Sequence, residues 1–312
     1  MSIEIDARVA TRERLASLRR LGFARVSLPL QGFDARVQEA GHCVRPLDAV
    51  RELVDAARGL GFSRVHAGVL FGLARQTPDS FARSVRELVG LRPDRVSLAP
   101  YVHAPSRHKA QRRIRSADLP DLAGQLAMQA LGIDGLLGAG YVHLGMHEFA
   151  LPGDPLAAAM RAGRLHRDLQ GFGTRAVGDV LALGAFAAGR IGACHYQNAL
   201  DLGAYHDALG QNELPVARGL RLTRDQLARR AVIMAIACQG RVDFESIDLS
   251  YPIDMRRAFA RELDELAPMI EHGLVEMDAE GFQLTPTGRW FARGVAQVFD
   301  REERRGRLLS GA

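Results

Sequence analysis

Apolar and polar residues alternate along the first half of the chain with two different periods. Runs with a two-residue period predict β-strands, and stretches with an apolar residue every three or four positions predict helices. Strands and helices follow each other in turn, which is typical of a parallel sheet with helices outside it, either doubly wound or a partial barrel. The strands are predicted at 2–6, 23–28, 64–71, 95–101 and 141–146, and the helices at 11–21, 46–60, 79–91 and 119–137.

The pattern changes after residue 150. Residues 151–222 are rich in glycine and less regular, and we expect them to connect the two ends of the fold and to line a cavity. Beyond them, the pattern predicts helices at 223–237, 255–272 and 285–299 and a hairpin of strands at 274–277 and 282–284. The sequence therefore predicts three parts: an α/β region at 1–150, a connecting segment at 151–222 and a small winged-helix-like domain at 223–312.

The first predicted strand, at 2–6, has no sequence before it. A parallel sheet that ends there exposes an unpaired strand edge, which is a template for pairing with another chain. We therefore expect either that a partner polypeptide pairs with this edge or that preceding sequence is missing.

Composition places the chain among ordinary globular proteins, with 47% hydrophobic and 25% charged residues. No apolar run approaches the ~20 residues of a membrane span, and the N-terminus lacks the form of a signal peptide, so we expect a cytoplasmic protein. The net charge of +5 is carried by arginine, because Lys109 is the only lysine. Basic residues cluster at 107–115 and 301–307, which we interpret as solvated surfaces rather than a nucleic-acid site.

The three cysteines, Cys43, Cys194 and Cys238, lie more than forty residues apart. None of them has the close spacing of a zinc knuckle, a redox pair or an iron–sulfur loop. We expect reduced cysteines and no metal site.

Several segments together resemble the oxygen-independent coproporphyrinogen III oxidases, a family of radical S-adenosylmethionine (SAM) enzymes. Their order and spacing match that family over residues 3–6, 21–27, 76–81, 91–95, 145–150, 166–172 and 284–289. The resemblance implies a partial parallel β/α barrel followed by the winged-helix-like domain. It also implies oxidative decarboxylation of coproporphyrinogen III to protoporphyrinogen IX in haem biosynthesis, using a [4Fe–4S] cluster and SAM.

The cofactor positions depart from the family pattern. The cluster loop C-x-x-x-C-x-x-C would lie upstream of Met1, and without three thiolates close together no cluster is held. Glu4 and Gln31 match residues that contact SAM in the family, whereas Cys43 stands for an arginine and Gly68 for an aspartate. We therefore expect a weakened SAM site and no catalytic residues in this chain.

The substrate segments are partly retained. His166, Arg167 and Gln170 match the family, and an arginine there can hold a porphyrin propionate or merely stabilise its loop. His103 and His147, with His143 beside them, are further candidates for a substrate or haem site, and each can equally be a hydrogen-bonded structural histidine. The pair Cys194–His195 is an alternative source of haem ligands.

These observations lead to one hypothesis and two alternatives. The chain is expected to be a non-catalytic paralogue that binds a tetrapyrrole or haem, without nucleic-acid or membrane partners. The alternatives are an interaction module that pairs through its N-terminal strand, and a truncated form of an active enzyme.

Overall fold

The structure, a computed structural model, describes residues 1–42, 44–106, 108–176 and 178–300. Cys43 and the basic run 301–307 therefore lie outside the described residues. The chain divides into two compact units, one from Met1 to Ala157 and the other from Ala158 onwards. The three-part division at residues 150 and 222 stays a prediction.

The first unit alternates strands and helices as the hydrophobic pattern predicts, and its last helix contains the boundary between the units. Its elements are β1 (Ser2–Glu4), α1 (Arg12–Arg20), β2 (Arg25–Gln31), α2 (Ala35–Ala40), α3 (Leu47–Gly59), β3 (Arg64–Phe71), α4 (Pro78–Leu91), β4 (Arg95–Pro100), α5 (Leu122–Gly138), β5 (Val142–Gly145), β6 (Glu148–Ala150) and α6 (Pro155–Arg161), with 3₁₀ turns at Lys109–Arg113 and Ser116–Asp118.

These strands form one six-stranded sheet in the order β1-β2-β3-β4-β6-β5. Strands β1 to β4 are parallel, which confirms the predicted α/β class. Strand β1 lies at one edge and pairs with β2 alone among the described strands. No helix in the described part of the chain combines the length and apolarity of a membrane span.

The strand predicted at 141–146 is present as β5, but the chain then turns back into a strand, β6, that the sequence did not predict. Gly145 and Met146 adopt positive φ angles of 140° and 53°, which reverse the chain tightly. The returning strand β6 then inserts antiparallel between β4 and β5. The carbonyl of His147 in the turn accepts a hydrogen bond of 2.8 Å from the backbone N–H of Leu98, which fixes the hairpin against β4.

The two faces of the parallel sheet differ because its side chains alternate. In β3, every second residue from Val65 to Phe71 is buried beneath the helices, whereas His66 and Gly68 lie on a partly exposed face. On the buried side, a Cβ atom at Gly132 of α5 would lie 2.8 Å from the side chain of Leu98, so a larger residue there would require Leu98 to shift. The partly exposed face remains open for polar side chains.

The second unit contains more regular structure than the sequence predicts between residues 151 and 222. Its elements are β7 (His166–Asp168), β8 (Gly171–Gly173), β9 (Ala188–Ile191), β10 (Cys194–Asn198), α7 (Leu202–Gly210), β11 (Val216–Arg221), α8 (Arg224–Gln239), β12 (Arg241–Asp243), α9 (Phe244–Ser250), α10 (Met255–Ala258), α11 (Ala260–Asp264), α12 (Ala267–Glu271), β13 (Val275–Met277), β14 (Gly281–Leu284) and α13 (Ala292–Val298), with a 3₁₀ turn at Gly288–Phe291. Strands β9, β10 and β11 form an antiparallel sheet, and β7 pairs with β8 as a hairpin.

The C-terminal helices and hairpin are present, with one correction. The hairpin of β13 and β14 is confirmed, with the Asp278 side chain accepting hydrogen bonds from Glu280 and Gly281 in its turn. The single helix predicted at 255–272 is instead three short helices. It is interrupted at the buried Phe259, whose backbone is not helical (φ −115°, ψ 21°), and α12 begins again with Pro268 in its first turn.

A buried ion pair ties α8 to the rest of this unit. Arg229 and Glu262 are 4% and 2% exposed, and the Arg229 guanidinium donates a hydrogen bond of 2.8 Å to the Glu262 carboxylate. The same guanidinium lies 4.8 Å from the ring of Phe259 and pairs with Asp225 at 2.9 Å. Buried charges of this kind are tolerated only when they are paired and hydrogen-bonded.

We predict that Arg229→Met lowers the free energy of unfolding by about 3–5 kcal/mol, because it leaves Glu262 as a buried charge without its cation. The double variant Arg229→Met/Glu262→Met should recover most of that loss, since no buried charge then remains. Urea unfolding followed by fluorescence of Trp290, the single tryptophan, measures both. The exposed Arg256→Met, which removes a guanidinium 5.2 Å from Phe244, is the matched control. A double variant as unstable as the single one would contradict the explanation.

Candidate functional site

A cavity of about 400 Å³ lies within the second unit, between the β7–β8 hairpin, the β9–β10 strands and α8. The residues that line it are Leu165, His166, Arg167, Asp168, Gly173, Arg175, Ala176, Arg190, Gly192, His195, Leu222, Leu227, Arg230, Ala231, Met234, Ala235, Cys238, Gln239 and Tyr251.

The lining combines apolar side chains with positive charge. Four arginines and one acidic side chain, Asp168, contribute to it. Leucine and methionine side chains supply apolar surface between them. Arginine is suited to carboxylates because its planar guanidinium can donate two parallel hydrogen bonds to one carboxylate group. The cavity is therefore built to hold an anionic ligand with an apolar body.

Helix α8 presents one face to this cavity. Leu227, Arg230, Met234 and Cys238 recur at spacings of three or four residues, which places them along one side of a helix. The start of α8 is fixed by a capping box, in which the Thr223 hydroxyl accepts from the Gln226 N–H and the Gln226 side chain accepts from the Thr223 N–H. Local sequence thus sets which residues of α8 reach the cavity.

Burial and like charge act on the polar groups of this cavity. Burial lowers the pKa of His195, and the positive charges of Arg230 and Arg190 lower it further. Burial also lowers the pKa of Arg230, again helped by Arg190. His195 is therefore neutral at neutral pH, and a bound anion would offset the repulsion between these groups.

Two of the predicted substrate residues line this cavity and one does not. His166 and Arg167 lie on β7, and the Arg167 guanidinium sits 5.7 Å from the ring of Phe172 on β8. Gln170 is exposed in the turn of that hairpin, where its backbone N–H donates a hydrogen bond of 2.7 Å to Asp168. The roles assigned to these residues stay predictions.

The other candidate histidines belong to the first unit. His103 Nδ1 lies 3.3 Å from the Tyr101 hydroxyl, and His147 occupies the turn between β5 and β6. His143 is buried, with Nε2 3.2 Å from the Met146 carbonyl oxygen and its ring 5.0 Å from that of Phe149. The environment of His143 is that of a packed core histidine.

The cysteines of the second unit occupy different environments. Cys194 is exposed on β10, while the next residue, His195, lines the cavity; neighbouring residues of a strand project to opposite faces. A ligand in the cavity therefore meets only one member of the Cys194–His195 pair. Cys238 also lines the cavity, but burial raises the pKa of its thiol to about 11, which keeps it protonated.

The residues that match SAM contacts in the family lie on β1 and β2. Glu4 is exposed and pairs with Ser27 in register, and Gln31 ends β2 with a left-handed φ of 64°. At Gly68, where the family pattern has an aspartate, an added Cβ would lie 3.8 Å from the Pro29 Cα, which is ordinary contact. Steric packing therefore does not explain why a glycine occupies position 68.

A chain of hydrogen bonds crosses four elements on the partly exposed face of the first sheet. His66 Nδ1 lies 2.8 Å from the Ser27 hydroxyl, and His66 Nε2 lies 2.8 Å from the Ser97 hydroxyl. Ser97 donates to the carboxylate of Glu148. Because Ser97 gives its proton to Glu148, its oxygen accepts from His66 Nε2.

The sequence indicated His147 as a candidate but did not single out Ser27, His66, Ser97 or Glu148. The sequence pattern that could have identified Ser27, His66 and Ser97 is that each occupies a polar position between apolar residues of neighbouring strands. Burial by itself would raise the pKa of Glu148, but hydrogen bonds from His66 and Ser97 and the charges of His66 and His147 outweigh it. The net effect lowers the pKa of Glu148 below its ordinary value of 4.5.

We predict that Glu148→Gln destabilises the chain by about 1 kcal/mol near neutral pH, because the amide cannot replace the charged acceptor. A lowered folded pKa stabilises the protein above the unfolded value of 4.5, and that stabilisation is lost as the pH falls through the folded value. The difference in free energy of unfolding between wild type and variant should therefore become smaller as the pH is lowered. Urea unfolding followed by circular dichroism over this pH range measures it, with the exposed Glu52→Gln on α3 as control. A difference that is independent of pH would contradict the assignment.

An iron–sulfur cluster requires a particular set of ligand side chains, and these can be compared with the residues of this chain. A [4Fe–4S] cluster needs thiolates that lie close together. The 312 residues contain no C-x-x-x-C-x-x-C segment, and the described residues bring no three His, Cys, Asp or Glu side chains together as metal ligands. The residues present do not fit the cluster, so no chemical step is assigned to it here.

The chain is similar to several known proteins over nearly its whole length. Residues 222–291 match the family described as the HemN C-terminal domain. The chain is 40% identical over 299 residues to an oxygen-independent coproporphyrinogen III oxidase of Pseudomonas aeruginosa, covering 96% of this chain and 65% of that protein. It is 31% identical to an oxygen-independent coproporphyrinogen III oxidase of Thermostichus vulcanus, covering 100% of this chain and 97% of that protein.

The fold agrees with these similarities. The solved structure of the coproporphyrinogen III oxidase HemN of Escherichia coli, described as a radical SAM enzyme, matches with a TM-score of 0.92 at 36% identity, covering 96% of this chain and 69% of that one. The chain spans 65% and 66% of the length of the curated Pseudomonas aeruginosa and Escherichia coli relatives. The family resemblance predicted from the sequence is confirmed: this chain belongs to the oxygen-independent coproporphyrinogen III oxidase family.

Proposed function

We propose that this chain binds a tetrapyrrole that carries carboxylate side chains, and that these 312 residues do not by themselves supply the radical chemistry of the family. One observation carries the proposal: four arginines surround a partly apolar cavity that contains a single acidic side chain. The relatives named as coproporphyrinogen III oxidases act on a macrocycle of this chemical class.

The dimensions and lining of the cavity support this ligand class. Ligand cavities in proteins commonly measure about 300–1,000 Å³. At about 400 Å³, this cavity suits one carboxylate-bearing edge of a tetrapyrrole rather than the whole macrocycle. Leu165, Leu227 and Met234 offer apolar contact to a pyrrole ring, and the guanidinium groups offer hydrogen bonds to propionates.

The non-catalytic part of the proposal rests on the missing cluster ligands. The chemistry of radical SAM enzymes belongs to their cluster and SAM, while the protein positions them. Within these residues, the SAM-contact positions 43 and 68 carry Cys and Gly, and no cysteine loop is present. The contribution assigned to this chain is therefore to bind and orient the tetrapyrrole.

We predict that adding coproporphyrin III to the purified protein produces a saturating change in its Soret absorption at micromolar concentrations. Haem is titrated in parallel, because the imidazole of His166 or His195 at the cavity can ligate its iron. If haem is ligated there, His166→Ala or His195→Ala should abolish the haem shift, and the exposed His272→Ala should leave it unchanged. No spectral change with either compound would contradict tetrapyrrole binding.

A second candidate function is strand pairing with another polypeptide. The observation in its favour is that β1 lies at the edge of the six-stranded sheet, with its backbone paired only to β2 among the described strands. An exposed edge of this kind accepts an added strand. Sedimentation analysis is expected to find a complex or self-association, and a monodisperse monomer without a bound partner would count against it.

A further inference from the structure

We propose that Arg230, together with Arg190 and His195, forms a carboxylate subsite within the cavity of the second unit. The inference rests on the proposed function and refines it, because it names the side chains that select the ligand's negative charge. It also moves the expected anion contact away from Arg167, the arginine that the family pattern indicates.

Arg230 is a partly buried cation without a protein counter-ion. It makes no hydrogen bond and no ion pair with any residue in the described ranges, although it lies within the charged lining of the cavity. The preceding residue, Arg229, forms ion pairs with Asp225 and Glu262 on another side of the same helix. A guanidinium taken out of water without a partner is costly, and a ligand carboxylate would offset that cost.

Arg190 and His195 are held side by side next to this group. They are directly paired residues of β9 and β10, so their side chains share one face of the antiparallel sheet. Both line the same cavity as Arg230. The Arg190 guanidinium donates a hydrogen bond of 2.5 Å to the Gly178 carbonyl, which fixes its position.

His195 contributes a polar atom that the described protein leaves unsatisfied. Its Nε2 atom is buried and has no hydrogen-bond partner among the described residues. The arginines beside it lower its pKa, so a carboxylate bound between them would raise that pKa again. Occupation of the subsite should therefore be visible in the titration of His195.

The other two cavity arginines fit this role less well. Arg167 is exposed and stacks against Phe172, and Arg175 is exposed in the loop after β8. Burial and Arg190 lower the pKa of Arg230, and the opposing effects of Tyr251 and Asp168 do not reverse that direction. The subsite thus combines two half-buried arginines, Arg190 and Arg230, with the unsatisfied Nε2 nitrogen of His195.

The test compares coproporphyrin III with its uncharged tetra-amide, which keeps the macrocycle and removes the carboxylates. Wild-type protein should bind the acid about tenfold or more tightly than the amide, because charge-assisted hydrogen bonds to arginine are lost with the amide. Arg230→Gln should weaken binding of the acid by about tenfold and leave that of the amide unchanged. Arg230→Lys keeps the charge but loses the planar guanidinium. It should bind the acid more weakly than the wild type and more tightly than Arg230→Gln.

The matched control is Arg224→Gln, an exposed arginine in the first turn of the same helix. It should bind both compounds as the wild type does. Circular dichroism establishes that each variant is folded, and Arg190→Gln provides a second route if Arg230→Gln does not fold. Equal binding of acid and amide, or unchanged binding by both Arg230→Gln and Arg190→Gln, would overturn the subsite. If wild type binds neither porphyrin, the proposed function fails instead.

A second measurement tests the subsite without any porphyrin. Nitrogen NMR of the His195 ring is followed against pH with and without added sodium propionate, a minimal carboxylate. The pKa of His195 should rise in wild type on adding propionate and stay unchanged in Arg230→Gln. A wild-type His195 titration that is insensitive to propionate would overturn the inference, whether or not the protein binds a tetrapyrrole.

Discussion

The buried ion pair between Arg229 and Glu262 is the constraint on which the geometry of the candidate site depends. It holds α8 against α11, and the ring of Phe259 covers the same guanidinium. Successive residues of a helix are turned by about 100°, so anchoring Arg229 in the core directs Arg230 elsewhere, and Arg230 lines the cavity. Two neighbouring arginines thus differ: Arg229 is paired with acidic side chains of the protein, and Arg230 is the arginine that we propose binds a ligand carboxylate.

In the first unit, the alternation of side chains along each strand separates an apolar face of the sheet from a face with polar groups. Apolar side chains fill one face of the sheet, and Gly132 lets α5 pack closely against it. On the other face, His66 joins Ser27 to Ser97 and Glu148 in one hydrogen-bonded chain. Gly68, which departs from the family pattern, belongs to this same partly exposed face.

Most of the first unit could be predicted because its strands and helices follow simple periods. Strand β3 was predicted with the bounds that the structure has, Arg64–Phe71. The β5–β6 hairpin was missed because its turn depends on a non-glycine residue, Met146, with positive φ, which sequence does not indicate. The helix predicted at 255–272 failed because packing of Phe259 and the position of Pro268 override a continuous helical pattern.

The site was harder to predict than the fold. His166 and Arg167 were found because they lie in one segment that resembles the family. Arg190, His195 and Arg230 come from three separate elements, and only the packed structure brings them to one cavity. Arginine is also the ordinary basic residue of this chain, with Lys109 as its single lysine, so no individual arginine stands out in the sequence.

The central claim is that a carboxylate-bearing tetrapyrrole occupies the arginine-lined cavity of the second unit. Determining a crystal structure of the protein with coproporphyrin III bound tests it most directly. The account predicts a propionate oxygen within hydrogen-bonding distance of the Arg230 guanidinium, with a pyrrole edge against the apolar side chains of α8. A macrocycle bound elsewhere, with Arg230 still unpaired, would contradict it.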